Sequence, residues 1–281
     1  MIDLHCHLLD ETGCGAQDFA ESLMMCRQAA TAGVRAIVAT PRWDEHLDAP
    51  PLAFEECERR LERLRAELNG ALTLRLGFML RFRADLSVLL ARYGSSLALG
   101  GGRHVLVSLP SVQVPREAEE VWENINRQGY GVVVAHPECS PALRCDSSRL
   151  GRWVAGGVKL QLDAASITGA HGRAVQGFAL WCVREYRGSV VVASNARDAH
   201  RGALARLALA REALVKNGGA RSARLLLSEL PSALINPATA APRAGVAGSQ
   251  ASGLFKRWRA LRPRKTLLTE SQPLGDRFPL T

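Results

Sequence analysis

Long apolar runs are missing from this chain, and none approaches the roughly 18 to 20 residues that a membrane-crossing helix needs. The first residues lack the charged-then-apolar build of a secretory signal, so a cytoplasmic location is expected. Cysteines at 6, 14, 26, 57, 139, 145 and 182 are odd in number and irregularly spaced, which excludes a closed disulfide framework and implies free thiols. What is present is bulk. A length of 281 residues with 47% hydrophobic content is enough to bury one large core.

Short apolar segments ending in polar or glycine-rich turns recur at 1–7, 37–41, 76–79, 105–110, 132–138, 160–169 and 190–197. Between them lie amphipathic stretches at 18–32, 54–68, 115–128, 172–186 and 200–216, several closed by glycine at Gly33, Gly129 and Gly218-Gly219. Strand and helix in alternation imply a parallel sheet, and about seven such units imply a closed barrel with its site at the C-terminal strand ends. His5 and His7, two apart in the first segment, fall on one face of a strand.

The opening MIDLHCH, the AHPE at 135–138 and the QLDAASITG at 161–169, in this order, resemble the PHP superfamily. Within it they resemble the CpsB/YwqE type of manganese-dependent protein-tyrosine phosphatase of bacterial exopolysaccharide synthesis. The resemblance runs from Met1 to about Pro237 and implies a PHP-type distorted (β/α)7 barrel as a single domain over 1–236. It also implies nine metal-ligand positions, of which this chain keeps three as His5, His7 and His136. The other six carry Cys14, Arg42, Met79, Ser108, Asn195 and Arg197, where the family pattern has aspartate, histidine, glutamate, glutamate, aspartate and histidine in turn. The arginine expected after AHPE is Cys139.

Hard divalent ions are held by carboxylates together with imidazole, and all four implied carboxylates are gone. A thioether at Met79 is a poor ligand for such an ion, and a guanidinium has no lone pair to give. The attacking water then has no evident activator. The expectation is that no cofactor is bound, or, failing that, one divalent ion, zinc or manganese, on His5, His7 and His136 with Cys14 and Cys139 as possible substitute ligands. Charge offers another route, because two arginines carry about the same net charge as several divalent ions against four carboxylates. A cavity lined by Arg42, Arg197 and the three histidines is therefore expected to bind phosphate, although the arginines could equally pair with Asp44, Glu45 or Asp198. Asp163, Ser166 and Thr168 read as a loop held by side-chain hydrogen bonds, and His46, His104, His171 and His200 as residues outside the site.

The segment 237–281 differs in composition. It holds eight basic residues (Arg243, Lys256, Arg257, Arg259, Arg262, Arg264, Lys265, Arg277) against Glu270 and Asp276, behind a linker rich in Pro, Ala, Gly and Ser. A short amphipathic segment at 253–262 carries Leu254, Phe255, Trp258 and Leu261 among its cations and stops at Pro263. The expected protein is thus a degenerate member of the phosphatase family that binds a phosphorylated partner with little or no hydrolysis. The expected partner is a bacterial tyrosine kinase or another phosphotyrosine protein of exopolysaccharide assembly. Weak contact with anionic membrane through 253–265 is expected, at the inner face of the membrane, and no nucleic acid. The alternatives are an active phosphatase with an altered metal site and a non-catalytic membrane-associated scaffold.

Overall fold

The structure, a computed structural model, describes residues 1–9, 14–43, 54–110 and 113–238. The basic tail from 239, with its segment at 253–262, lies outside the described residues, as do Asp44, Glu45 and His46. The strands in chain order are β1 (Ile2–Cys6), β2 (Ala36–Ala39), β3 (Arg42–Trp43), β4 (Thr73–Leu76), β5 (Met79–Arg81), β6 (His104–Ser108), β7 (Gly131–Ala135), β8 (Lys159–Asp163) and β9 (Val190–Ala193). Every pairing is parallel, in two runs, β1-β2-β4 and β3-β5-β6-β7-β8-β9.

The two runs are parts of one barrel. Gly77 N donates to Ala39 O at 2.9 Å and Met79 N to Pro41 O at 3.1 Å, so β2 and β3 form one interrupted strand and β4 and β5 another. The seam closes where Asn195 N donates to His5 O and His7 N to Ala196 O, each at 2.8 Å, with a parallel bridge between Cys6 and Ala196. Counting each interrupted pair once leaves seven parallel strands in a closed ring, as expected of the distorted (β/α)7 barrel. The interruption explains why the segment expected as a strand at 76–79 is a break. A Cβ on Gly77 would lie 3.0 Å from both Leu99 Cα and Val38 Cγ1, tighter than ordinary contact, so a side chain there would have to push these neighbours back.

Helices Phe19–Thr31, Phe54–Leu68, Ala118–Arg127 and Arg173–Glu185 match the amphipathic stretches. Asp18 caps the first by accepting from Glu21 N, and Cys57, Leu61, Leu64 and Leu68 bury the inner face of the second. At the stop expected at Gly218-Gly219 the stretch Ala203–Arg224 breaks, with Gly219 non-helical at φ 78° and ψ 166° before helix resumes. Leu4, Val38, Met79, Leu106, Val133, Ala135 and Val191 fill the barrel interior, and Leu99, Leu234 and Ile235 pack against them.

One irregularity positions the site. Asp3 pairs with Ile37 and Cys6 with Ala39, so β1 carries one residue more than its neighbour between these points. This bulge lets adjacent residues both serve the interior, Leu4 in the apolar core and His5 against Gln161 of β8. Asp3 holds the seam beneath it. Its carboxylate accepts from His5 N at 3.3 Å, from Ser194 N at 3.0 Å and from Ser194 Oγ.

Burial, opposed by the Ser194 and His5 donors, raises the Asp3 carboxyl to about 6. An acid raised in the folded state favours folding while protonated. Its contribution is complete below the unfolded value near 4 and is lost as pH climbs through 6, a change of roughly 2 to 3 kcal/mol. Asp3→Asn should flatten the fall in stability between pH 4 and pH 7, measured by urea unfolding at a series of pH values. A slope equal to that of wild type would reject this assignment.

Candidate metal and phosphate site

The C-terminal strand ends gather a connected set of side chains around His5. Gln161 Nε2 donates to Asp163 Oδ1 at 2.9 Å, which turns the amide oxygen toward His5 Nδ1 at 2.8 Å. An amide oxygen only accepts, so His5 carries its proton on Nδ1 and keeps a lone pair on Nε2. That Nε2 lies 3.3 Å from His7 Nε2, while His7 Nδ1 is 3.4 Å from Cys14 Sγ. Both imidazoles are fully buried. Burial first, then the positive field of His136, lowers His5 to about 4, and burial, His5, Arg197 and Arg42 hold His7 well below its ordinary value. Both rings are neutral at pH 7.

His136 and Asn195 sit in the left-handed region, at φ 37° and 49°, just past the ends of β7 and β9. The His136 ring stacks on His5 with centroids 5.9 Å apart. Asn195 Nδ2 donates to Asp163 Oδ2 at 3.0 Å, whereas its Oδ1 is buried with no donor. Asp163 is thus a hub. Burial alone would raise its carboxyl, but His171, the His136 and His5 rings and the Asn195 amide outweigh burial and bring it to about 2. Glu138 lies beside it, accepting from Asp163 N at 2.8 Å, and burial together with the Asp163 charge pushes its carboxyl up to about 8. The two carboxyls are thus driven apart, Asp163 toward the ionised form and Glu138 toward the protonated one.

The substituted positions separate by environment. Met79 is buried in the apolar cluster and acts as core. Ser108 Oγ donates to Leu80 O at 3.3 Å. Arg42 and Arg197 line one cavity of about 440 Å³ with Trp43, Phe82, Ser108 and His136, and neither is paired with an acid among the described residues. Asp198 is occupied by Arg201 at 3.3 Å instead. Cys14 stands beside His7, as a substitute ligand would, but Cys139 does not join that group. Its sulfur lies near Ser166 Oγ at 3.8 Å and clusters with Asp163 and His171. Gln161, Glu138, Trp43 and Phe82 were not singled out from sequence. Gln161 and Asp163 carry the same two-residue spacing that marked His5 and His7, and that spacing was the available signal.

Comparison with known proteins places the chain in a class. Residues 1–236 match the family "Capsular polysaccharide synthesis, CpsB/CapC", and the chain belongs to it. It is 32% identical over 181 residues, 64% of this chain and 71% of the relative, to tyrosine-protein phosphatase YwqE of Bacillus subtilis (strain 168). It is 24% identical over 185 residues, 64% of this chain and 71% of the relative, to the protein named putative tyrosine-protein phosphatase CapC of Staphylococcus aureus. A crystal structure from work on YwqE of Bacillus subtilis and CpsB of Streptococcus pneumoniae superposes with TM-score 0.76 at 27% identity, over 84% of this chain and 94% of that one. Those two proteins are described as unique metal-dependent tyrosine phosphatases. The expectation that no cofactor is bound is corrected by this finding, since relatives on the same fold depend on metal.

The residues present fit one divalent ion. Two nitrogens on a tetrahedral zinc at about 2.0–2.1 Å stand about 3.3 Å apart. His5 Nε2 and His7 Nε2 stand 3.3 Å apart with neutral rings, and the unpartnered Asn195 Oδ1 is a further oxygen donor at the same strand ends. A cluster bridged by carboxylates at positions 14, 79, 108 and 195 does not fit, because none of these residues is an acid. Gln161→Leu should release the His5 tautomer and weaken the zinc-dependent shift of the His5 and His7 imidazole nitrogens about 10- to 100-fold. Nitrogen-15 spectra recorded during a zinc titration measure this. Unchanged imidazole shifts in the variant would show that Gln161 does not orient the pair.

Proposed function

We propose that this chain binds a tyrosine-phosphorylated protein of capsular or exopolysaccharide assembly, in the first place the tail of a bacterial tyrosine kinase, and hydrolyses it slowly or not at all. The observation that carries this reading is the placement of Arg42 and Arg197 in one cavity without acid partners among the described residues. Guanidinium forks match phosphate oxygens, and the Trp43 and Phe82 walls suit the phenyl ring that bears them. A volume of about 440 Å³ lies within the ordinary range for a small-ligand site.

The competing reading, an active phosphatase with an altered metal site, is favoured by the fit of His5 and His7 to one ion. Bound there, an ion would polarise a phosphoryl oxygen as a Lewis acid. This chain's residues would still have to supply the acid and base. Glu138 is fully buried and Asp163 is held by two amides, which leaves His136, on the cavity wall, to serve alone where hydrolysis needs both an acid and a base. That shortage favours binding over turnover.

A phosphotyrosine peptide labelled with a fluorophore should bind the full-length protein and lose at least about tenfold in affinity in Arg42→Ala with Arg197→Ala, read by anisotropy. The unphosphorylated peptide should bind no better than that variant. Equal affinity in wild type and variant would overturn the arginine assignment. With manganese or zinc added, turnover of the same peptide should match that of His5→Ala with His7→Ala and His136→Ala. A metal-dependent rate lost in the triple variant would establish the active reading instead.

Membrane contact is a separate proposal, resting on six cations from Lys256 to Lys265 among Leu254, Phe255, Trp258 and Leu261. Among the described residues no helix is long and apolar enough to cross a membrane. Full-length protein should sediment with anionic vesicles, not neutral ones, and release at high salt. Truncation after Pro237 that leaves sedimentation intact would remove the tail as the anchor.

A further inference from the structure

Cys139, Asp163 and His171 bring one sulfur, one carboxylate oxygen and one imidazole nitrogen within 4.8 Å of one another, the one such trio among the described residues. They come from three separate stretches that the barrel end fixes in place: the turn Pro137–Cys139 after β7, the end of β8, and the loop before the helix Arg173–Glu185. That loop is shaped by Gly169 and Gly172, both at positive φ, 85° and 89°.

Ordinary contacts leave these three groups incompletely engaged. His171 Nε2 is 3.8 Å from Asp163 Oδ2, within reach of an ion pair but longer than a hydrogen bond. The two amide donors on Asp163 occupy only part of the lone-pair capacity of a carboxylate. Cys139 Sγ makes only the long contact of 3.8 Å with Ser166 Oγ. A soft sulfur, a borderline imidazole and an anionic oxygen form a donor set that suits zinc and not a hard ion such as magnesium or manganese.

We propose that Cys139, Asp163 and His171 form a zinc site separate from the His5–His7 pair. Binding displaces the Cys139 thiol proton to solvent and leaves the thiolate as ligand. Three protein ligands leave a fourth position for water. His171 is partly exposed, so the site is reachable from solvent without opening the barrel. Asp163 is shared with Gln161 and therefore, at one remove, with His5. An ion on this carboxylate would stiffen the support of the first pair without touching it.

Cobalt is the probe, because a cobalt–thiolate bond gives a near-ultraviolet charge-transfer band that imidazole and carboxylate ligands do not. Full-length protein stripped with a chelator and titrated with cobalt should develop that band, and zinc in excess of both sites should bleach it. The band should survive in Cys14→Ser, in Cys145→Ser and in His5→Ala with His7→Ala. It should vanish in Cys139→Ser and weaken at least tenfold in apparent affinity in His171→Ala, a surface change that leaves the buried Asp163 in place. Circular dichroism verifies that each variant is folded. No band in the wild-type protein, or a band that follows Cys14 or Cys145 and ignores Cys139 and His171, would overturn the proposal.

Discussion

The site depends on one buried carboxylate. Asp163 is ionised, is reached by two amide donors, and stands where β8 ends. Because Gln161 Nε2 is committed to it, the Gln161 oxygen has no choice but to face His5, and the His5 tautomer follows. Because Asn195 Nδ2 is committed to its other oxygen, the Asn195 backbone is held in the left-handed region and its own oxygen is left without a donor. Burial first, and then this adjacent charge, push the Glu138 carboxyl upward. Tautomer and amide orientation are thus consequences of a single charge in a low-dielectric surround.

The positions at which the resemblance implies metal ligands are accommodated by their surroundings. Met79 completes the apolar interior together with Leu106 and Val133, where a carboxylate would need a partner or an ion. Ser108 satisfies its hydroxyl on Leu80 O, and Asn195 keeps a donor on Asp163. Of these positions, Arg42 and Arg197 bring charge, neither with an acid partner among the described residues, and both line the same cavity. Indifferent substitution would be expected to leave buried polar groups scattered and unsatisfied. Here the neutral replacements are mostly satisfied and the charged ones converge.

Much of the fold was legible in the sequence, because apolar strand and amphipathic helix alternate and the glycine stops are explicit. Phe54–Leu68 was readable to the residue, since leucines at helical spacing stand against a run of glutamate and arginine. The helix Leu86–Tyr93 was not, because its run of leucine and valine is short and lacks the period that separates a buried helix from a strand. The interruption at Gly77 was hidden because its cause is a close approach to Leu99, distant in sequence. In the site, His5 and His7 were evident from their spacing. The roles of Gln161 and Asp163 were not, since they arise from partners on other strands. His171 was set aside for want of a neighbouring motif, and its neighbours proved to be Asp163 and Cys139 across a loop.

The arginines have two effects that belong together. Their charge is among the causes that keep the His7 ring deprotonated, after burial and His5. A deprotonated ring has a lone pair to offer, so the cations that would attract a phosphate also keep His7 competent as a ligand. The same cations repel a divalent ion placed near them, and a phosphate in the cavity removes that repulsion. Reciprocal linkage then requires that anion and metal each strengthen the other's binding. A metal site rich in carboxylates supplies for itself the negative charge that admits the ion. Here the bound ligand would have to bring it, so occupancy of the His5–His7 pair becomes conditional on what the cavity already holds.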